Sequence, residues 1–360
     1  MLGALPTLGY WQRMLQVSCP SGATTIKPRA IAIWLWCVAA LIIAMVMVGG
    51  ITRLTESGLS ITQWKPISGI IPPLTDAQWQ AEFAGYKRIP EYAQLNSGMT
   101  LAGFKGIFFW EYVHRLLGRV IGMAFALPLL WFAVRRQIPR GYGWRLTALL
   151  ALGGFQGVIG WWMVSSGLSV RTDVSHVRLA VHLLTALVTL AGIAWTALDV
   201  RALADDRFAR PARFTLLAST ALGLLLVQIM FGAFTAGLNA GYAFSSWPLM
   251  GDSLYPAGVA LVEPHWRNAV DNPIVVQFIH RWFAFAAAAG LAVLAWRARQ
   301  AGATGAAYAV IGLVALQIVL GIATLLSGVE IGIAVAHQVN AALTLVASVC
   351  AAHMIGRAPA

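Results

Sequence analysis

Apolar positions in this chain gather into long runs separated by short polar breaks. Eight runs stand out, at roughly 30–49, 107–134, 144–164, 177–197, 213–237, 273–297, 304–326 and 331–354. Each is long enough to cross a bilayer core as an α-helix, which needs about 20 residues. The last two are joined by only a few residues around Gly328 and Glu330, which predicts a tight helical hairpin. Two longer segments, 50–106 and 238–272, break the rhythm and are rich in Trp, Pro and Gly. Their aromatic content argues for folded caps over disordered linkers. The pattern therefore predicts an all-α integral membrane protein of eight transmembrane helices.

Composition agrees. Only 11% of the 360 residues are charged, 59% are hydrophobic, and the mean hydropathy is +0.73. A soluble domain carries roughly a quarter charged residues. The net charge of +12 raises the question of nucleic acid, but its distribution answers it. With the N-terminus inside, the tail and the loops after the second, fourth, sixth and eighth helices hold fourteen basic residues against three acidic ones. The opposite side is close to neutral, with eight basic and nine acidic residues. That asymmetry follows the positive-inside rule, which puts both termini in the cytoplasm, or in the matrix of an organelle, and needs no nucleic-acid partner. Residues 1–29 hold no acid and three bases (Arg13, Lys27, Arg29) and are read as a cytoplasmic tail. Cys19, Cys37 and Cys350 show no paired spacing.

The chain repeats itself. The first helix ends Gly49-Gly50-Ile51-Thr52 and the fifth Gly232-Ala233-Phe234-Thr235. Trp110-Glu111-Tyr112-Val113-His114-Arg115 in the second answers to Val276-Gln277-Phe278-Ile279-His280-Arg281 in the sixth. Gln156, Gly160 and Ser166-Gly167 recur as Gln317, Gly321 and Ser327-Gly328, and His182 recurs as His337. Two four-helix halves are expected, 30–200 with the external loop 50–106 and 201–360 with the external loop 238–272. An even number of helices per half relates them by a pseudo-two-fold axis along the membrane normal.

Ionisable groups inside a membrane are costly and usually functional. Four of the seven histidines, His114, His182, His280 and His337, fall inside helices about six to eight residues from the expected outer ends. At about 1.5 Å per residue they share one depth, roughly 10 Å below the outer surface. Two imidazoles facing each other across a four-helix bundle suit the two axial positions of a haem iron. Zinc collects three or four ligands, and no cysteine or carboxylate cluster surrounds these positions. A core histidine bonded to a neighbouring helix is the bland alternative; repetition of four at one depth weighs against it. Arg115, Arg281 and Arg119 follow the ligand positions and can reach haem propionates by charge-assisted pairs, or else snorkel to the interface. Arg53, Lys65 and Lys105 are weaker candidates for that role. His176, His265 and His353 are read as structural.

The halves differ at one telling place. Three residues before His114 stands Glu111, on the same helix face, where the second half has Gln277. A carboxyl beside a porphyrin can move a proton or stabilise positive charge; an amide cannot titrate. The N-terminal half is accordingly expected to be catalytic and the C-terminal half to carry electrons. Pairing of Glu111 with Arg115 or a loop amine is the structural alternative.

The motifs resemble those of haem A synthases of the alphaproteobacterial and mitochondrial type. They comprise the stretch from Gly49 to Ser60, Trp64-Lys65-Pro66, Ile71-Pro72-Pro73, Pro90-Glu91-Tyr92, Phe104-Lys105 and Trp110 to Arg115. Beyond these come Phe231-Gly232-Ala233-Phe234, Trp247-Pro248-Leu249-Met250-Gly251, Gln277 to Arg281 and His337-Gln338. The resemblance covers about 30–354. It implies haem b on His280 and His337, substrate haem O facing His114 and His182, and Glu111 as the catalytic carboxylate. The implied reaction oxidises the C8 methyl of haem O to the formyl of haem A, by two hydroxylations and loss of water, for cytochrome oxidase. It implies a bacterial inner membrane, or a mitochondrial one, with haem O synthase, oxidase assembly factors and a second copy of the chain as candidate partners. Some members carry a cysteine pair in the first external loop; this chain has none there. A di-haem b-type electron-transfer cytochrome would have matching halves, and a transporter would have broken helices and a polar path.

Overall fold

The computed structural model describes residues 26–357; most of the expected tail, with Arg13 and Cys19, lies outside the described residues. Eight long helices carry the fold: α1 (Pro28–Leu54), α2 (Leu101–Val134), α3 (Gly143–Ser165), α4 (His176–Asp205), α5 (Leu216–Gly237), α6 (Pro273–Gln300), α7 (Thr304–Leu326) and α8 (Ile331–Arg357). All eight are long and apolar enough to span a membrane. Among the described residues there is no strand, only an isolated bridge between Met250 and Ser253. Helix starts are written locally. The side chains of Thr100, Ser175 and Thr215 accept from the backbone N–H of Gly103, Arg178 and Ala218, and Asn272 caps α6 ahead of Pro273.

Helices α1, α4, α5 and α8 meet in the middle, with α2 and α3 flanking one side and α6 and α7 the other. Leu35, Leu190, Ile193, Leu294 and Leu345 fill the core between them. Polar groups join the two sides. Arg53 Nη2 donates to the Ala236 carbonyl (2.7 Å) and to Asn239 Oδ1 (2.6 Å), and Gln338 Nε2 donates to the Val46 carbonyl (2.9 Å). At the opposite end, fully buried Asp199 accepts from Arg145 Nη1 (2.7 Å) and from the Ala212 amide (2.9 Å), and faces His353 Nε2 at 2.9 Å. That single carboxylate ties together α3, α4, the connector and α8. His353 therefore has the structural role expected of it.

Two boundaries differ from the sequence reading. α2 begins at Leu101, not near 107, because Phe104 and Phe108 continue the helix into the first cap instead of leaving the membrane as loop. His114 thus lies well inside α2, whereas His182, His280 and His337 sit within two turns of their helix starts. The fourth helix, expected over 177–197, runs on to Asp205, and residues 206–215 connect it to α5.

Both long loops are folded, as their composition predicted. The first carries helices Asp76–Tyr86 and Pro90–Leu95 over a cluster of Leu59, Ile61, Phe83, Tyr86, Phe104 and Phe108. The second is a series of turns with a cis Trp247–Pro248 bond. Within the first cap, Glu91 is buried and accepts from the Tyr86 hydroxyl at 2.9 Å, which itself accepts from Asn96 Nδ2. Burial pushes the Glu91 carboxyl up to about 8 from its ordinary 4.5, and the Tyr86 hydroxyl is pushed up as well. Between those two Glu91 values the folded cap holds a proton that the unfolded chain has lost, so stability falls as pH rises. Thermal melts, or proteolysis of segment 50–106, should show wild type losing resistance from pH 5 to pH 8 and Glu91→Gln losing much less.

Candidate functional site

All four intramembrane histidines line one internal cavity of about 710 Å³ that runs between the two sides of the molecule. The way they get there is the same four times. Each imidazole lies against a glycine of the preceding long helix, where a Cβ would stand 3.0–3.2 Å from the ring Cε1: Gly49 for His114, Gly160 for His182, Gly232 for His280 and Gly321 for His337. A side chain on the facing helix would displace the ring, so these glycines set how close the helix pairs come. Gln228 and Gln317 approach the rings of His280 and His337 from the same helices that supply the glycines.

Glu111, expected to hang over the cavity, is buried but does not line it. Its carboxylate is turned to the first cap: Oε2 accepts from the Ser60 hydroxyl and the Ile61 amide, both at 2.7 Å. Oε1 accepts from Arg115 Nε (3.0 Å) and Nη2 (2.6 Å) in a fork. Arg115 in turn donates to the carbonyls of Ile61 and Gln63, and Arg119 to those of Lys65 and Pro66. The other side has the same plan with an amide in place of the acid. Gln277 Nε2 donates to the Phe244 carbonyl, and Arg281 donates to those of Phe244, Ser246 and Leu249. The arginines thus clamp each cap onto its helix. Arg281 lines the cavity and keeps a buried Nε–H without a partner; Arg119 keeps Nη1 in the same state.

Of the weaker basic candidates, Lys65 is paired with Glu82 (2.7 Å), Lys105 lies over the Trp79 ring, and Arg53 bridges to Ala236. His176 faces Asp271 at 3.2 Å, and exposed His265 faces Glu263. Sequence reasoning missed Ser60, which only the fold brings to Glu111. It also missed Gln228, although the four-residue spacing from Gln228 to Gly232 repeats that of Gln156 to Gly160 and Gln317 to Gly321.

The chemistry of the donor set is narrow. No group of three or more His, Cys, Asp or Glu side chains able to hold a bare metal ion occurs among the described residues. Two imidazoles per pair, in an apolar cavity, suit a metal that brings its own further ligands, which is what a porphyrin supplies. The residues present fit haem.

The family described as cytochrome oxidase assembly protein matches residues 32–349. The haem A synthase of Sphingopyxis alaskensis is 55% identical over 341 residues, covering 95% of this chain and 96% of that protein. Those of Rhizorhabdus wittichii and Novosphingobium aromaticivorans are 58% and 49% identical, each over more than 90% of both chains. This chain belongs to the haem A synthase family. For the family's haem chemistry the glycine floors are a sharp test. Gly321→Val should crowd His337 and lower the haemochrome absorbance of the purified protein, while Gly305→Ala, with open space around it, should leave it unchanged.

Proposed function

We propose that this chain oxidises the C8 methyl of haem O to the formyl group of haem A, with the substrate held in the α1–α4 half and a resident haem b in the α5–α8 half. The observation that carries the reading is the set of four cavity-lining imidazoles on matching glycine floors, combined with the Glu111/Gln277 difference between the halves. An internal duplication accounts for the matching, and divergence of one copy accounts for the difference. His280 and His337 would hold haem b, and His114 and His182 would hold the substrate haem. The unpartnered Nε–H of Arg281, which lines the cavity, is suited to a propionate; Arg119 Nη1 is also unpartnered but Arg119 does not line the cavity, and every Arg115 nitrogen already donates. When bound, haem b supplies a one-electron redox centre for electrons leaving the substrate side.

What the protein itself contributes follows from the bonds. The Glu111–Arg115 fork is nearly sealed from solvent and sits one turn from His114. Glu111, three residues before His114 and turned to the cap, is the member of the Glu111/Gln277 pair that can take or give a proton on the substrate side. Its two bonds to Ser60 and Ile61 hold the cap in place over that half and limit water. Gln277 cannot titrate, which supports placing oxidation in the first half. Helix pairs with both termini cytoplasmic, in the bacterial inner membrane, agree with the basic residues on that side and with the alphaproteobacterial relatives.

The test is pigment analysis of protein expressed with a supply of haem O. Wild type should yield haem A by acid-acetone extraction and chromatography. Glu111→Gln, which copies the amide of the other half, should keep both haem sites and lose aldehyde formation; undiminished haem A would remove Glu111 from the mechanism. His280→Ala should lose haem b, and unchanged haem content would overturn the assignment of halves.

A further inference from the structure

Two motifs of the first cap, Trp64-Lys65-Pro66 and Ile71-Pro72-Pro73, play no part in the histidine site. The bonds of their segment to α2 trace a path. The Ile61 amide donates to Glu111, the carbonyls of Ile61 and Gln63 accept from Arg115, and those of Lys65 and Pro66 accept from Arg119. The Ile70 carbonyl then accepts from the Tyr112 hydroxyl at 2.6 Å. Partners that run from Glu111 to Arg115 to Arg119 and back to Tyr112 mean that the chain descends along α2 by about two turns and climbs again. The amides of Gly69 and Ile70 donate to the carbonyls of Lys65 and Ile67 and close the reversal. A Cβ at Gly69 would stand 3.0 Å from Arg119 Nη2, so the bottom of the hairpin lies tight on α2. Trp64 stacks on Trp161 of α3 with ring centroids 5.9 Å apart, and the hairpin thus bridges α2 and α3.

Its depth follows from the helices. α7 has 23 residues and is about 34 Å long, against a hydrocarbon core of about 30 Å. The turn from α7 into α8 therefore marks the cap-side edge of the membrane, and His337 stands about 9 Å past Ile331. His114 lines the same cavity as His337. Arg119 is about 7.5 Å further along α2 than His114, but its side chain leans back toward the helix N-terminus. The carbonyls it holds accordingly lie near the level of His114, below the helix ends.

What this hairpin turns away from the protein is apolar. Ile67 is 81% exposed, Ile71 68% and Leu74 74%, and Trp64 and Ile70 are exposed as well. Exposed Gln63 and Ser68 carry no charge, and Pro66, Pro72 and Pro73 bring no N–H to satisfy. Lys65, the one charge between Ile61 and Leu74, is paired with Glu82 (2.7 Å) on the cap helix Asp76–Tyr86. The exposed apolar surface continues along α2 through Val120, Met123 and Leu127.

We propose that residues 61–74 are an interfacial anchor, seating Trp64, Ile67, Ile71 and Leu74 at the headgroup–acyl boundary of the cap-side leaflet. Apolar surface gains by leaving water, and elements of this kind sink roughly 5–10 Å into that boundary. Tryptophan is enriched there. Irregular backbone is barred from the hydrocarbon core unless its polar groups are met. Here Glu111, Arg115, Arg119 and Tyr112 meet the groups turned to α2, and the boundary supplies headgroups and water to the rest. The second cap repeats the plan. Gln277 and Arg281 hold the carbonyls of Phe244, Ser246 and Leu249, and Trp247, placed after Phe244 as Trp64 is after Ile61, stacks on Phe285 at 6.4 Å. The first cap is thereby held on one side by α2 and on the other by lipid.

The test uses the full chain in lipid nanodiscs, with Cys19, Cys37 and Cys350 replaced by alanine and a nitroxide attached at Ile67→Cys. Power-saturation EPR compares relaxation by oxygen, which concentrates in lipid, with relaxation by a nickel chelate, which stays in water. The oxygen-to-nickel ratio at Ile67→Cys should exceed that at Gln80→Cys, exposed on the cap helix, and approach that at Leu127→Cys on the lipid face of α2. A ratio equal to that at Gln80→Cys would overturn the anchor. A second measurement keeps the native cysteines. Ile67→Asp should open segment 50–106 to protease roughly 10-fold faster in nanodiscs, whereas Gln80→Asp should leave the rate unchanged. Cleavage of Ile67→Asp at the wild-type rate would overturn the anchor equally.

Discussion

An imidazole can reach the centre of a helical bundle only where the helix facing it has no side chain in the way, and this constraint organises the molecule. It is met four times, by Gly49, Gly160, Gly232 and Gly321, each supplied by the odd-numbered helix to the histidine of the even-numbered one that follows. Close approach of each pair fixes the register of the two helices. It also leaves an apolar space between the pairs, because the glycine side contributes no bulk to fill it. The cavity that all four histidines share is a consequence of the same choice.

The two caps are built on the helices that carry His114 and His280. Directly after those histidines stand arginines that serve loop carbonyls, Arg115 (with Arg119 one turn further on) below the first cap and Arg281 below the second. A guanidinium serves this purpose well, having five donors in a fixed fork and remaining charged even when partly buried. The first cap has an additional anchor, since the Glu111 carboxylate takes two bonds from Ser60 and Ile61 and two from Arg115. The residue that distinguishes this helix from its counterpart carrying Gln277 thus also anchors a cap.

Between the halves, polar contacts do what apolar packing in a bilayer does poorly, which is to choose one arrangement among many of similar apolar area. Arg53 and Gln338 cross near the outer end, and Asp199 gathers Arg145, His353 and the Ala212 amide near the other. These sites lie at opposite ends of the central helices, so they fix both the spacing and the tilt of one half against the other.

By itself the sequence determined the eight apolar spans, the folded caps, the four histidines that line the cavity and the acid-for-amide difference between Glu111 and Gln277. Those features are local: a membrane demands long apolar helices, and an ionisable residue inside one stands out against them. The second helix begins before its expected run at 107–134 and the fourth ends after its run at 177–197, because hydropathy changes before the helix does. Only the tertiary structure decided where the Glu111 carboxylate turns and which carbonyls the arginines serve. A guanidinium suits a propionate and a loop carbonyl equally. Its meaning depends on which distant residue is folded against it, and spacing along the chain carries no record of that.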